Sequence, residues 1–139
     1  MSAENCIFCK IISGTEPAQV CYQDDEFLAF RDIKPVAKIH FLVIPKQHFV
    51  SVNSLNADNI SLVERMKECG KNIINELGGD ITDIRLGFHC PPFNSIKHLH
   101  LHCISPTKDM SFLHNLMFRP NSWWFSTVDQ TLENLKSKI

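Results

Sequence analysis

Three features of this sequence predict an α+β fold. Short apolar runs of strand length recur along the chain, one helix-length amphipathic segment lies mid-chain, and a second lies near the C-terminus. They fit about five mostly antiparallel strands crossed by one long helix, with a short N-terminal helix and a C-terminal helical extension. Ile7, Phe8, Ile11 and Ile12 fall at helical spacing, and Gly14 is placed to end that turn. Val20–Gln23 and Phe27–Arg31 read as a hairpin turning at Asp24-Asp25. Residues 39–44 are almost continuously apolar and stop at Pro45, as a central strand covered on both faces would.

The long helix is predicted over 57–77. Asn56 suits its N-cap, Asp58 its first turn, and Gly78 follows its last. Ile60, Val63, Met66, Ile73, Ile74 and Leu77 form its apolar stripe, and Gly70 allows close approach within it. Two more strands follow at 81–88 and 96–104. From Met110 onward the chain reads as a short helical turn, an aromatic stretch at Trp123-Trp124-Phe125 and a final helix. Val128, Leu132, Leu135 and Ile139 line one side of that helix, and Thr127 with Gln130 can form a capping box at its start. The whole, residues 1–139, is read as one domain with its core at about 6–106 and an extension at about 107–139.

The composition is that of a globular protein, 44% hydrophobic and 21% charged. A formal charge of −1 offers no broad basic surface for nucleic acid or an anionic membrane. No run approaches the roughly 18 apolar residues of a spanning helix. The start, Met1-Ser2-Ala3-Glu4-Asn5, carries no export signal, so the six cysteines read as reduced thiols or metal ligands in an intracellular compartment.

His98-Leu99-His100-Leu101-His102, followed by Cys103-Ile104, is the chain's most informative stretch. Residues two apart on a strand face the same way, so three imidazoles line one side while Leu99, Leu101 and Cys103 pack on the other. Such a row suits metal ligation or work on an anionic substrate such as phosphate.

This stretch resembles the signature of the histidine triad superfamily. Cys6-Ile7-Phe8-Cys9-Lys10-Ile11-Ile12, Phe30-Arg31-Asp32-Ile33-Lys34-Pro35 and the block from His40 to His48 resemble the remaining family blocks, in the family's order. Phe88-His89-Cys90-Pro91-Pro92-Phe93-Asn94-Ser95-Ile96 and the Trp-rich tail look most like the Hint branch, with local similarity to the aprataxin catalytic domain. The resemblance implies a histidine triad fold and a hydrolase cleaving the P–N bond of adenosine (purine) 5′-monophosphoramidates, AMP–lysine adducts included. His100 would be the nucleophile, forming a nucleotidyl-histidine that water then hydrolyses; a neutral imidazole, with a pKa near 6.5, suits that role. His102 and His40 would surround the α-phosphate, and Asn94 and Ser95 would contact phosphate and leaving group. No catalytic metal is required. The loop ahead of the triad, Pro91-Pro92-Phe93-Asn94, departs from the glycine-rich loop of many Hint proteins and is stiffer on the leaving-group side.

By the same resemblance Asp32 would hold the ribose hydroxyls, and Phe8, Ile11, Phe30 and Ile33 would wall a base pocket. For each apolar residue alone, plain core packing competes with that role, and Asp32 could be a turn former. Some family members hold a structural zinc at positions that here are Cys6, Cys9, His48 and His98, a donor set suited to tetrahedral zinc. His89 and His114 acquire no role, and Cys21, Cys69, Cys90 and Cys103 read as ordinary thiols. The family also implies a homodimer or higher homo-oligomer, paired through the long helix and a neighbouring strand; the expected location is the cytoplasm and also the nucleus.

Three rivals stand beside this reading. A metallohydrolase would share one zinc among His98, His100 and His102, but alternating strand residues converge poorly on a tetrahedral ion. A dinucleoside polyphosphate hydrolase would use the same nucleophile. A non-catalytic nucleotide-binding protein would show affinity without turnover. A DNA-repair role like that of aprataxin is disfavoured, because no zinc-finger segment or basic tail follows the domain.

Overall fold

The computed structural model describes residues 5–139, so the reading of the chain's start lies outside the described residues. Six antiparallel strands form one sheet, β1 (Val20–Gln23), β2 (Phe27–Arg31), β3 (Ile39–Pro45), β4 (Arg85–His89), β5 (Leu101–Ser105) and β6 (Phe125–Thr127). Their spatial order is β1-β2-β3-β5-β4-β6. Four helices accompany them: α1 (Ile7–Ser13), α2 (Ile60–Glu76), α3 (Phe112–Met117) and α4 (Val128–Lys136).

The α+β expectation holds, with one strand more than the five expected. The extra strand is β6, built from the end of the aromatic stretch and paired with β4 at Gly87↔Thr127, Phe88↔Ser126 and His89↔Phe125. The C-terminal extension therefore belongs to the sheet. The strand expected over 81–88 begins only at Arg85. Ahead of it Asp80 accepts from the Thr82 amide (2.9 Å) and folds the chain into a turn. The strand expected over 96–104 begins only at Leu101, so His98 ends a bend and His100 lies just ahead of β5.

The alternation survives that shortening and divides the sheet into two differently furnished faces. Phe41, Val43, Leu99, Leu101 and Cys103 turn toward α2 and α4, in one core with Val63, Met66, Ile74, Leu132 and Leu135. Leu28, Phe30, Leu42 and Ile44 turn the other way and pack under Phe8 of α1. Being covered on both faces, β3 is buried at all seven positions, as its continuous apolar run predicts.

Asn56 caps a 3-10 turn that leads into α2, accepting from the Asp58 amide at 2.8 Å. Gly78 ends α2 in the left-handed region (φ 81°), as Gly14 ends α1 (φ 83°). A Cβ at Gly70 would lie 2.9 Å from the Cys103 sulfur, so the expected close approach of α2 to β5 is real. The buried face of α2 differs at its edges, since Leu62 is buried and Leu77 is 36% exposed. In α4, Thr127 accepts from the Gln130 amide while Gln130 turns to Asn134, so only half of the capping box forms. Ile139, expected on the apolar side of that helix, lies beyond its end and is exposed.

Candidate active site

The histidines occupy the face opposite α2, and the sheet register assembles them. Leu42 and Gly87 flank His102 in the ladder, and His40 pairs with Ile104. In β4 the alternation that sends Leu86 and Phe88 into the α2 core leaves Arg85, Gly87 and His89 on the histidine face. His40, His98, His100 and His102 are all buried.

Backbone partners fix where the protons sit, because a carbonyl only accepts and an amide only donates. His100 faces the His98 carbonyl through Nδ1 at 2.7 Å, so it donates from Nδ1 and keeps a bare lone pair on Nε2. His98 faces the Pro45 carbonyl through Nε2 at 2.9 Å, so its bare nitrogen is Nδ1. His40 accepts the Val36 N–H on Nδ1 at 3.2 Å, which places its proton on Nε2. That Nε2–H points at His102 Nδ1 (3.0 Å), with Asp32 Oδ2 at 3.4 Å as a second acceptor. Burial favours the uncharged ring throughout. It pushes His40 and His98 down to about 4 and holds His89, His100 and His102 below the usual histidine range. At neutral pH the cluster is a set of uncharged imidazoles with assigned donors and acceptors, and His100 presents a free nucleophilic nitrogen.

The three triad histidines do not share a centre. His98 Nδ1 lies 3.3 Å from Cys6 Sγ, 3.5 Å from Cys9 Sγ and 3.0 Å from His48 Nδ1. These four ligand atoms lie within 4.8 Å of one another. A tetrahedral ion with bonds of about 2.0–2.3 Å sets its ligand atoms roughly 3.3–3.8 Å apart, so two thiols and two imidazole nitrogens here fit zinc in spacing and chemistry. Burial and the neighbouring Cys6 push the Cys9 thiol up to about 11. The Pro45 carbonyl gives His98 the outer hydrogen bond that metal-bound histidines use. His102 instead faces His40, Asp32 and His89, so one zinc shared by His98, His100 and His102 finds no support in this arrangement.

The remaining expected residues divide. Asp32 closes a turn, accepting the Lys34 amide on Oδ1 (2.8 Å), while Oδ2 faces His40. Phe8 and Phe30 meet edge to face at 5.3 Å within the α1 core, with Ile11 packed against them. Phe8 also stands edge-on to His100 at 5.2 Å, which links that core to the nucleophile. Ile33 does not join them and is 93% exposed. Asn94 is buried with its Oδ1 unpartnered, beside His89 and His100 around a small cavity, whereas Ser95 is exposed on the same loop.

Sequence reasoning missed His89, Met117 and Phe118. His89 Nδ1 lies 3.3 Å from His102 Nε2, and its Nε2 faces the Met117 carbonyl at 2.9 Å. Phe118 stands against His40, His89 and His102 with ring centroids 5.0–5.6 Å apart. The available signal was the alternation in Arg85-Leu86-Gly87-Phe88-His89 together with the pairing of β4 to β5.

Comparison with known proteins agrees with this geometry. The family model for "Scavenger mRNA decapping enzyme C-term binding" matches residues 5–118. The mouse protein named adenosine 5'-monophosphoramidase HINT3 is 46% identical over 135 residues, 95% of this chain and 82% of the mouse protein. The chain belongs to the histidine triad family. A histidine triad protein from Clostridium difficile superposes with a TM-score of 0.70 at 36% identity, covering 76% of this chain and 93% of that one. A zinc-bound family member from Mycobacterium smegmatis superposes at 0.64 with 26% identity, over 98% of this chain and 99% of that one. The blocks of the sequence that resemble the family, far apart in the chain, meet on one face of the sheet.

Proposed function

We propose that this chain is an adenosine 5′-monophosphoramidase, a hydrolase that cleaves the P–N bond of adenosine (purine) 5′-phosphoramidates such as AMP–lysine. The observation that carries this reading is the bare Nε2 of a buried, uncharged His100, its other nitrogen committed to the His98 carbonyl. The name of the mouse relative supports the same activity. His100 Nε2 attacks the α-phosphorus, the P–N bond breaks, and the amine leaves with a proton taken up from solvent, which the attacking water of the next step gives back. Water then cleaves the phosphorus–imidazole bond, releasing AMP and restoring His100. The His102 N–H stabilises charge on the phosphoryl oxygens, and His40, whose own N–H is committed to His102 Nδ1 at 3.0 Å, holds that ring beside the α-phosphate. Asn94 and Ser95 border the phosphate and leaving group, Asp32 takes the ribose hydroxyls, and Phe8, Ile11, Phe30 and the exposed Ile33 take the base.

A structural zinc on Cys6, Cys9, His48 and His98 belongs to this reading. Bound there, it would tie α1 and the segment after β3 to the start of the triad. No helix among the described residues is long and apolar enough to cross a membrane, and all six cysteines are free. A cytoplasmic and nuclear location accords with such thiols. A homodimer also belongs to the reading; within the chain β6 already pairs with β4, and α4 packs with α2 in one core.

Replacing His100 with Ala removes the group that forms the covalent intermediate. AMP release from adenosine 5′-phosphoramidate should fall by several orders of magnitude, on the scale of other lost nucleophiles, while AMP affinity persists. A His100→Ala protein retaining a tenth of wild-type turnover would refute the mechanism.

A further inference from the structure

The contacts of His40, His102 and His89 form one directed chain. Read from one end, the Val36 N–H occupies His40 Nδ1, so His40 donates from Nε2 to His102 Nδ1 (3.0 Å). His102 then carries its proton on Nε2 and donates it to His89 Nδ1 (3.3 Å). His89 in turn donates from Nε2 to the Met117 carbonyl (2.9 Å). Read from the other end, the carbonyl must accept, and each ring is forced into the same tautomer. Both ends agree, so one arrangement satisfies every bond.

The far anchor is built with care. The carbonyls on either side of Met117 are both held: Leu116 accepts from Trp124 Nε1 (2.7 Å) and Phe118 from Arg85 Nη1 (2.9 Å). Phe118 and Phe125 close over His89 at 5.0 and 5.2 Å between ring centroids. The segment 116–118 and strand β6 therefore aim a single carbonyl at His89. A competing state also exists. Asp32 Oδ2 lies 4.0 Å from His102 Nδ1, an acceptor ready for the opposite tautomer if the Nε2 side lost its partner. His40 could then turn its own proton to the same carboxylate, 3.4 Å away.

We propose that His89 is a positioning residue which, held by the Met117 carbonyl, keeps the proton of His102 on Nε2 and so makes His102 a donor on that edge. Its catalytic consequence rests on the phosphoramidase reading: a phosphoryl oxygen entering beside His102 Nε2 shares the N–H that otherwise goes to His89 Nδ1 over 3.3 Å, and meets a donor instead of a lone pair. The C-terminal extension thus acts on the active site through one backbone carbonyl. A purely packing role for His89 is the alternative, and the two make different demands. Phe at position 89 keeps the ring but loses both bonds, whereas Asn keeps an acceptor where Nδ1 stands.

The test combines imidazole 15N–1H NMR of the full chain with steady-state kinetics on adenosine 5′-phosphoramidate. Wild type should show His40, His89 and His102 protonated on Nε2 and His100 on Nδ1. In His89→Phe, His102 should shift toward the Nδ1 tautomer, and kcat should fall roughly 10–100-fold with KM within about threefold, the scale of one lost buried hydrogen bond. His89→Asn should keep the His102 tautomer and recover most of kcat. Equal losses in the Phe and Asn variants, or an unchanged His102 tautomer in His89→Phe, would overturn the proposal. So would a wild-type spectrum with the His89 proton on Nδ1, which needs no variant to fold. An inactive wild type with the stated tautomers would instead count against the phosphoramidase reading and leave the lock standing.

Discussion

Gly87 sits opposite His102 in the β4–β5 ladder, on the histidine face, and the space where its side chain would be is taken by Phe125. A Cβ built there would lie 2.4 Å and 2.5 Å from Phe125 Cζ and Cε2, and 2.6 Å from the Ser126 carbonyl oxygen. All three are far inside contact distance, and the last is backbone of the strand paired with β4. Gly87→Ala must therefore displace the Phe125 ring, which is fully buried, or break the short β6 pairing. Overpacking of this kind costs about 1–3 kcal/mol, and partial exposure of a buried Phe adds about 1.5–3 kcal/mol. The lost flexibility of Gly returns about 0.5–1 kcal/mol. A net loss of roughly 2–4 kcal/mol should leave the chain folded, with the melting temperature lower by about 6–15 °C. Because Phe125 packs on His89, turnover should fall with it. Differential scanning calorimetry beside the AMP-release assay reads both. On a Phe125→Ala background the Gly87→Ala penalty should shrink to about 1 kcal/mol, since two of the three clashes vanish. A melting temperature unchanged within about 2 °C would refute the placement of β6 against the active-site face.

Three further outcomes follow from the same geometry. If Asp32 accepts the ribose hydroxyls, phosphoramidates lacking the 2′- and 3′-hydroxyls should lose roughly tenfold or more in kcat/KM, and Asp32→Ala should abolish that preference; equal discrimination by the variant would leave Asp32 a turn residue. If Cys6, Cys9, His48 and His98 hold zinc, metal analysis should find about one equivalent and Cys9→Ser should lower the melting temperature more than it slows catalysis; metal-free protein with unchanged melting would remove the site. His40 is held near 4 in the folded chain against 6.5 when exposed, so between these values the unfolded chain binds the extra proton and stability falls as pH falls. From pH 6.5 to pH 5 that group should cost roughly 1.5 kcal/mol, read in urea unfolding as the difference between wild type and His40→Gln, and equal pH dependence of the two proteins would show His40 to be solvated.

Most of the fold was legible because it follows from local periodicity. The amphipathic stripe of α2, the Asp24 hairpin and the uninterrupted run of β3 each signal themselves within one window of sequence. Strand β6 did not. It is three residues long, and its ring-lined side is recognisable only beside Gly87, 38 positions earlier in the chain, where a missing side chain leaves room. The same limit applies to strand ends. His98 and His100 keep the two-residue alternation, but their backbone leaves the ladder, because His98 is drawn to the Pro45 carbonyl and to Cys6, Cys9 and His48.

The active site shows where local reading stops for a physical reason. Period two correctly put three imidazoles on one side, yet it could not show that they serve different centres. That division comes from partners on other elements: the Pro45 carbonyl and the cysteines of α1 for His98, and His40 with His89 for His102. Between them His100 has one backbone partner of its own, the carbonyl of His98. This gives the zinc reading a consequence for the nucleophile. Whatever fixes His98 fixes the carbonyl that holds the His100 proton on Nδ1, two residues away. The tetrad and the nucleophile are thus joined by a single peptide group, and the Met117 carbonyl performs the matching task for His102 from the opposite end of the sheet. Two backbone carbonyls, that of His98 within the triad and that of Met117 in the C-terminal extension, set the proton positions of His100 and His102 in a site whose rings burial has already made neutral.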